Sequence, residues 1–168
     1  QYGSSTHELA RHAELSQMSH IAYSYPQVHS NVLVPDMRPE EMRIAASLIK
    51  ASDVMVNLFS TLQLDACVCD KPIVNIGFSW DGLAKASGTQ RPEYFGGYLH
   101  LRPLVEAGAT DIAVDQKSLL AVIRNALDHP YKRSQQRRFV VESILAHMDG
   151  RATIRLSQRL LNEYESSL

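Results

Sequence analysis

Apolar residues alternate along the chain between short continuous runs and longer stretches with helical periodicity. Continuous runs are typical of strands buried on both faces, and helical periodicity is typical of the helices that cover such strands. Because the two patterns follow one another repeatedly, the sequence predicts an α/β fold with a mostly parallel sheet.

The position of each run gives the predicted elements. Helices are predicted at 6–17, 38–52, 60–70, 116–130, 131–148 and 149–168, and strands at 20–26, 31–35, 53–59, 71–78 and 110–115. Pro39 fits the first turn of its helix, where a missing backbone donor costs little. The segment 79–97 lacks clear periodicity and is predicted to be a functional loop. We therefore expect a Rossmann-like, doubly wound sheet followed by a helical C-terminal segment.

Composition narrows the class of protein. The 168-residue chain is 45% hydrophobic and 21% charged, with a formal net charge of -1. This balance predicts a single Rossmann-like domain over 1–168 and gives no overall reason to expect nucleic acid as a partner. Cys67 and Cys69 lie two residues apart on a predicted helix and are expected to be reduced, which favours the cytoplasm. No apolar run is long enough to span a membrane. The chain opens on a helix, so we expect a fragment of a longer protein.

The stretch STLQLD, residues 60–65, places polar groups directly after a buried strand and at the start of a predicted helix. Helix N-termini at the carboxyl ends of parallel strands are common ligand sites. Ser60 and Gln63 also fit a capping box, in which Ser60 only closes the helix. Thr61 and Asp65 lie four residues apart, so they share one helix face. Their rise of about 6 Å is similar to the distance from a pyrophosphate to the ribose attached to it.

Asp65 requires an explanation because a carboxylate in an apolar environment is costly without a partner. A ribose diol would donate hydrogen bonds to this carboxylate. The other interpretations are a polar helix face, or pairing with a nearby lysine or arginine.

The order of these motifs resembles the C-terminal, nucleotide-sugar-binding domain of GT-B fold glycosyltransferases. The matching positions are Asp53, Ser60–Thr61, Asp65–Ala66 and Lys71–Pro72. The closing stretch DGRATIRLSQRLL is similar to an element of glycosyltransferases and glycerophosphotransferases of surface-polymer synthesis. The resemblance covers most of the chain from about residue 19 to 165. Asp65 stands where many members of the family have glutamate. His29 does not match a histidine of the family motif, so it is not expected to be catalytic.

The resemblance implies that Ser60 and Thr61 bind the donor diphosphate and that Asp65 binds the ribose. It also implies a loop that borders the base, formed by Val34, Pro35 and Asp36. The chain would then be the donor-binding half of a glycosyltransferase of surface polysaccharide or glycolipid synthesis. It would use a nucleotide sugar as substrate, with no cofactor or metal. The N-terminal domain that completes such an enzyme is missing, so we expect this chain alone to be inactive.

Three alternatives remain open. Two are enzymes of the same fold, a nucleotide-sugar epimerase and a glycerophosphotransferase, and the third is a non-catalytic interaction domain. The seven histidines form no pair at metal-ligand spacing with a carboxylate, and only His100, after the predicted loop, is a candidate for contact with the sugar.

Arg151, Arg155 and Arg159 form a row on one face of the last predicted helix. The row is either a solvated surface or a surface for an anionic membrane or the missing domain. Contact with a membrane would place the protein peripherally at its inner face. The sequence contains no recognised nucleic-acid-binding module.

Overall fold

The computed structural model of the chain describes residues 14–22, 38–78, 101–145 and 147–167. The chain divides into two compact units, Gln1–Ser47 and Leu48–Leu168. Residues 14–16 of the first unit are helical. Helix α1, Pro39–Ala51, begins in the first unit and ends in the second. Whether the whole chain acts as one domain stays a prediction.

Helix α1 confirms the helix predicted at 38–52, including proline at the first helical position. Its first turn carries Glu40 and Glu41, and its last turn carries Lys50. These charges oppose the helix dipole at both ends, so they favour a helix over this segment. In the second unit, Ile49 from the last turn of the helix is buried in the core.

The second unit contains a parallel sheet with the order β1-β2-β3. Strand β1 is Met55–Asn57, β2 is Ile73–Ile76 and β3 is Asp111–Ala113. The predicted parallel α/β layout is confirmed. The spatial order of these three strands is also their order in the chain. A doubly wound sheet requires a point at which the strand order reverses, and these three strands contain no such point. Residues 20–22 are not in a strand, and the predicted strand positions 23–26 and 31–35 lie outside the described residues.

The described part of the second unit contains five further helices. They are α2 (Leu62–Val68), α3 (Arg102–Glu106), α4 (Gln116–Asp128), α5 (Ser134–Leu145) and α6 (Ala152–Ser166). Four of them confirm predicted helices at slightly narrower bounds, and α3 was not predicted. The segment 79–97 lies outside the described residues.

Helices cover both faces of the sheet within the second unit. Successive strand residues point to opposite faces, and accordingly Ile73 and Val74 of β2 belong to two different core clusters. The cluster around Ile73 also contains Ile49, Ala66, Cys67, Leu104, Ala109 and Val140. The cluster around Val74 also contains Ala113 and Ala126. Helix α2 packs against α5, and α4 packs against β2 and β3. The central strand β2 is therefore buried between two helical layers, whereas β1 and β3 each have an exposed residue.

Helix α4 begins with a capping box. The Asp115 carboxylate accepts a hydrogen bond from the Ser118 backbone N–H at 2.6 Å, and the Ser118 hydroxyl accepts from the Asp115 N–H at 3.1 Å. The bond from the Ser118 backbone holds the pKa of Asp115 below its usual range. This reciprocal pair satisfies two helix N–H groups that have no partner inside the helix.

An ion pair joins the end of α2 to α5. Arg137 is 1% exposed, and its Nε donates to Asp70 Oδ1 at 2.7 Å. Ser134 Oγ donates to the other carboxylate oxygen at 2.7 Å, and Arg137 also donates to the Pro130 carbonyl at 2.8 Å. Asp70 has a φ of 50°, a left-handed conformation that aspartate tolerates better than most residues. The pair therefore fixes a turn as well as a helix contact.

Both cysteines are free, as expected. Burial raises the pKa of the Cys67 thiol to about 11, although the nearby Arg137 lowers it in part. Cys69 is half-buried. Cys67 is therefore expected to react slowly at neutral pH.

Candidate functional site

The turn after β1 carries the predicted phosphate-binding residues Ser60 and Thr61. Two side-chain amides from the sheet hold the backbone of this turn. Asn57 Oδ1 accepts from the Ser60 N–H at 3.0 Å, and Asn75 Oδ1 accepts from the Phe59 N–H at 3.3 Å. Asn57 and Asn75 are directly paired in the register of β1 and β2. The turn therefore lies over the carboxyl ends of two neighbouring strands.

Phe59 adopts a φ of 54°, which is uncommon for a bulky residue. Its side chain is buried, at 5% exposure. A left-handed conformation at such a residue costs on the order of 1–3 kcal/mol and persists only where surrounding contacts impose it. The buried ring and the bond to Asn75 are two such contacts.

A third amide, from Gln63, completes the arrangement. Gln63 is fully buried, and its Oε1 accepts from Asn75 Nδ2 at 2.8 Å. We call Asn57, Asn75 and Gln63 the amide cluster. The buried positions of α2 are Gln63, Ala66 and Cys67, which share one helix face by their spacing. Gln63 consequently faces the core and not the helix N-terminus.

The predicted capping box of Ser60 and Gln63 is therefore wrong. The Ser60 N–H donates to Asn57, so Gln63 does not accept it. The N-cap residue is Thr61, which makes no side-chain capping bond. Ser60 Oγ instead accepts from the Leu62 N–H at 3.3 Å. A serine followed three residues later by glutamine is equally compatible with a buried amide, so sequence spacing alone did not distinguish the two arrangements.

Two donors of the amide cluster are unpaired. Gln63 Nε2 and Asn57 Nδ2 are buried and have no hydrogen-bond partner among the residues that the structure describes. Each buried donor without an acceptor costs roughly 1–3 kcal/mol. The amide cluster therefore carries a free-energy cost that apolar side chains in this part of the core would not have.

Thr61 and Asp65 both lie on the exposed face of α2. The expectation that Asp65 lies in an apolar environment is wrong, because the helix period turns it away from the buried face that contains Gln63 and Ala66. In the part of the chain that the structure describes, no side-chain bond to the Asp65 carboxylate occurs. Ser60 is half-buried beside them. The structure thus places a hydroxyl and a carboxylate on one accessible helix face.

The remaining predicted contacts lie outside the described residues. These are His100 and the loop of Val34, Pro35 and Asp36. The assignments of a base-bordering loop and of a sugar contact stay predictions.

A cleft of about 300 Å³ lies at the opposite, amino end of the sheet. Its lining residues include Asp53, Asp70, Lys71 and Tyr131. Asp53 and Lys71 are positions that carry the family resemblance, yet they are separated from Ser60 and Thr61 by the length of the strands. The Asp70 carboxylate is already bound to Arg137 and Ser134. The motif residues of the sequence therefore divide between the two ends of the sheet.

The arginine row lies on α6, which has no buried residue. Arg155 pairs with Asp149 at 2.8 Å, and Arg159 pairs with Glu163 at 3.7 Å. The hydrogen bond from Arg155 lowers the pKa of Asp149 to about 2. These carboxylates reduce the net charge of the row, and an anionic membrane as its partner stays a prediction.

The described ranges show neither a group of metal ligands nor a helix that could span a membrane. Across those ranges, no group of three or more histidine, cysteine, aspartate or glutamate side chains is arranged to hold a metal ion. None of the helices within them has the length and apolar character needed to cross a membrane.

Comparisons with protein-family models, with curated proteins and with solved structures found no match to this chain.

Proposed function

We propose that the second unit is the donor-binding part of a nucleotide-sugar-dependent glycosyltransferase of surface polysaccharide or glycolipid synthesis. The observation that carries this proposal is the exposure of Thr61 and Asp65 on one face of α2, beside the carboxyl ends of parallel strands. Ligands of parallel α/β sheets bind outside this end. A Rossmann-like, doubly wound arrangement of the complete sheet belongs to the same proposal.

The side chains have complementary roles in this proposal. Ser60 and Thr61 offer hydroxyl donors to the diphosphate oxygens, and the Asp65 carboxylate accepts from the ribose hydroxyls. Because Asp65 is exposed, its carboxylate is solvated before binding, and the free protein does not have to compensate for a buried carboxylate. The group that activates the acceptor would come from a second domain, so this chain alone would bind donor but transfer little sugar.

A second candidate function, a non-catalytic interaction domain, is favoured by α6. This helix has apolar side chains that are 55% to 64% exposed, namely Ile154, Leu156, Leu160, Leu161 and Tyr164. An exposed apolar surface of this kind is typical of contact with another protein. This function does not require nucleotide binding.

A thermal-shift experiment with UDP, GDP, CDP and their sugars separates the two candidates. The glycosyltransferase proposal expects at least one of them to raise the melting temperature, because a ligand that binds only the folded state stabilises it. An epimerase or glycerophosphotransferase of the same fold would also respond, and product analysis with the complete enzyme would then distinguish the reactions. No shift with any nucleotide would refute donor binding.

Asp65→Ala tests the site itself. Asp65 is exposed and makes no described side-chain contact, so the variant is expected to melt at the wild-type temperature without ligand and to lose the nucleotide-induced shift. Glu142→Ala is the matched control, since Glu142 is also an exposed carboxylate within a helix of the second unit. An unchanged nucleotide shift in Asp65→Ala would remove Asp65 from the site.

A further inference from the structure

We propose that the amide cluster of Asn57, Asn75 and Gln63 consists of positioning residues that set the conformation of the turn bearing Ser60 and Thr61. Its effect on ligand binding rests on the proposed function, whereas its effect on the turn does not. Ser60 and Thr61 would contact the ligand, and the cluster would act through them.

The first support is the geometry of the backbone bonds. Asn57 and Asn75 occupy paired positions on neighbouring strands, and they accept from the consecutive N–H groups of Ser60 and Phe59. Each bond fixes one peptide of the turn. Together they define the path of the chain from the end of β1 to Thr61.

The second support is the orientation of the Asn75 amide. A side-chain amide presents either its oxygen or its nitrogen to a given neighbour. Because Gln63 Oε1 accepts from Asn75 Nδ2, Asn75 Oδ1 is directed at the Phe59 N–H. Gln63 therefore positions Asn75, and Asn75 positions Phe59.

The third support is the left-handed conformation of Phe59, at a φ of 54°. Without an acceptor for its N–H, the chain at this residue would relax toward a more common conformation. Such a change would reorient the peptides that lead to Ser60 and Thr61. The bond from Phe59 to Asn75 is consequently one of the contacts that hold the turn in this conformation.

The fourth support comes from the unpaired donors, Gln63 Nε2 and Asn57 Nδ2. Replacing a buried polar pair by apolar side chains of similar shape is often neutral for stability or favourable. Leucine at positions 63 and 75 would fill the same space without the unpaired Gln63 Nε2, but it would remove the acceptor of the Phe59 N–H. The cluster is thus better explained by the geometry that it imposes than by the stability that it adds.

The test is backbone amide hydrogen exchange, measured by NMR on the full chain for the double variant Asn75→Leu/Gln63→Leu. The variant is expected to fold, and exchange at the Phe59 N–H is expected to become about tenfold faster, or more, because its acceptor is gone. The resonances of Ser60 and Thr61 are expected to move. Wild-type exchange at Phe59 together with unchanged resonances would overturn the proposal.

Asn75→Asp is the conservative variant that should rescue the turn. It has the shape of asparagine and retains an oxygen acceptor for the Phe59 N–H. It loses the Nδ2 donor to Gln63 Oε1, but the Gln63 amide can turn over, so that Nε2, which is unpaired in the wild-type protein, donates to the second carboxylate oxygen. Protection at Phe59 is therefore expected to return. Thr110→Val is the matched control, because Thr110 is another buried polar side chain whose Oγ1 has no partner in the described part of the chain, and it directly precedes β3 at the amino end of the sheet. Accelerated exchange at Phe59 in Thr110→Val would mean that the effect is not specific to the cluster, and would overturn the proposal.

A second variant keeps the test decisive if the double variant does not fold. Asn57→Ala removes the acceptor of Ser60 and leaves that of Phe59. Exchange at Ser60 is expected to accelerate about tenfold while Phe59 stays protected. Equal protection of both residues in this variant would overturn the proposal.

Nucleotide binding gives a separate readout. A nucleotide that stabilises the wild-type protein is expected to lose its effect in the double variant and to keep it in Asn75→Asp and Thr110→Val. Binding that survives a displaced turn would refute the link between the cluster and the ligand. If no nucleotide stabilises the wild-type protein, the proposed function fails, and hydrogen exchange alone still decides the role of the cluster.

Discussion

Replacing Asp70 with asparagine is expected to destabilise the second unit by about 2 kcal/mol, the central value for a hydrogen bond to a charged group. Arg137 is 1% exposed and its Nε lies 2.7 Å from Asp70 Oδ1, so the variant leaves a buried guanidinium without a countercharge. Breaking a fully buried pair costs roughly 3–5 kcal/mol. The Asp70 side chain is 40% exposed, and water at this side therefore keeps the expected loss below that range. Asparagine tolerates the left-handed backbone at this position, so the loss reports the charge.

The assay is urea unfolding followed by circular dichroism, applied to wild type, Asp70→Asn, Arg137→Met and the double variant. Once Arg137 is methionine, no buried charge remains for Asp70 to neutralise. The double variant is therefore expected to be about as stable as Arg137→Met alone. If the two single losses add within about 0.5 kcal/mol, the two side chains do not interact energetically, and the reasoning fails.

Arg102→Met provides the matched control for this cycle. Arg102 Nε lies 2.6 Å from Glu106 Oε1, but the two side chains are 62% and 60% exposed. An exposed pair of this kind contributes about 0–1 kcal/mol. The two pairs have nearly equal distances, so a large difference between them isolates the effect of burial. Equal losses at the two pairs would show that burial does not determine their strength.

Two further predictions concern packing and thiol reactivity. Gly77→Ala is expected to lower the free energy of unfolding in urea by about 1–3 kcal/mol. A Cβ at this position would lie 2.6 Å from Ile112 Cγ2 and 3.0 Å from the Ala113 carbonyl oxygen. A variant as stable as wild type would contradict this packing of β2 against β3. A thiol reagent at pH 8 is expected to modify Cys69 first and Cys67 only slowly, since burial raises the pKa of Cys67 to about 11 and the thiolate is the reactive form. In Cys69→Ser only the slow reaction should remain, and a fast reaction would refute the protection of Cys67.

The elements that sequence predicted correctly are those with a local signal. Helix α1 has a proline at its start and charges that favour its dipole, and the strands β1 and β2 lie within continuous apolar runs. Helix α3 has only five residues, which is too short to show a helical period. Its burial depends on Leu104, which packs in the core beside residues distant in the chain. Short elements of this kind are specified by tertiary contacts.

The placement of the candidate site residues was also predicted only where the signal is local in sequence. The spacing of Thr61 and Asp65 correctly placed these two residues on one helix face, but it did not show which face of the helix is buried. That face is set by Ala66 and Cys67, which pack against other elements of the core. The left-handed conformations of Phe59 and Asp70 also had no signal, because neither residue is glycine. Both depend on side chains that are remote in sequence.

The polar side chains at the two ends of the sheet differ in whether they are already bound to other residues. At the amino end, the Asp70 carboxylate in the cleft is bound to Arg137 and Ser134, so a cationic ligand would compete with an internal ion pair. At the carboxyl end, the buried amides bind the backbone of the turn, and Thr61 and Asp65 remain exposed without a described side-chain partner. A ligand at the carboxyl end would therefore break no internal bond. For this reason the proposed nucleotide site is the carboxyl end, and the bonds of Asp70 in the cleft are structural.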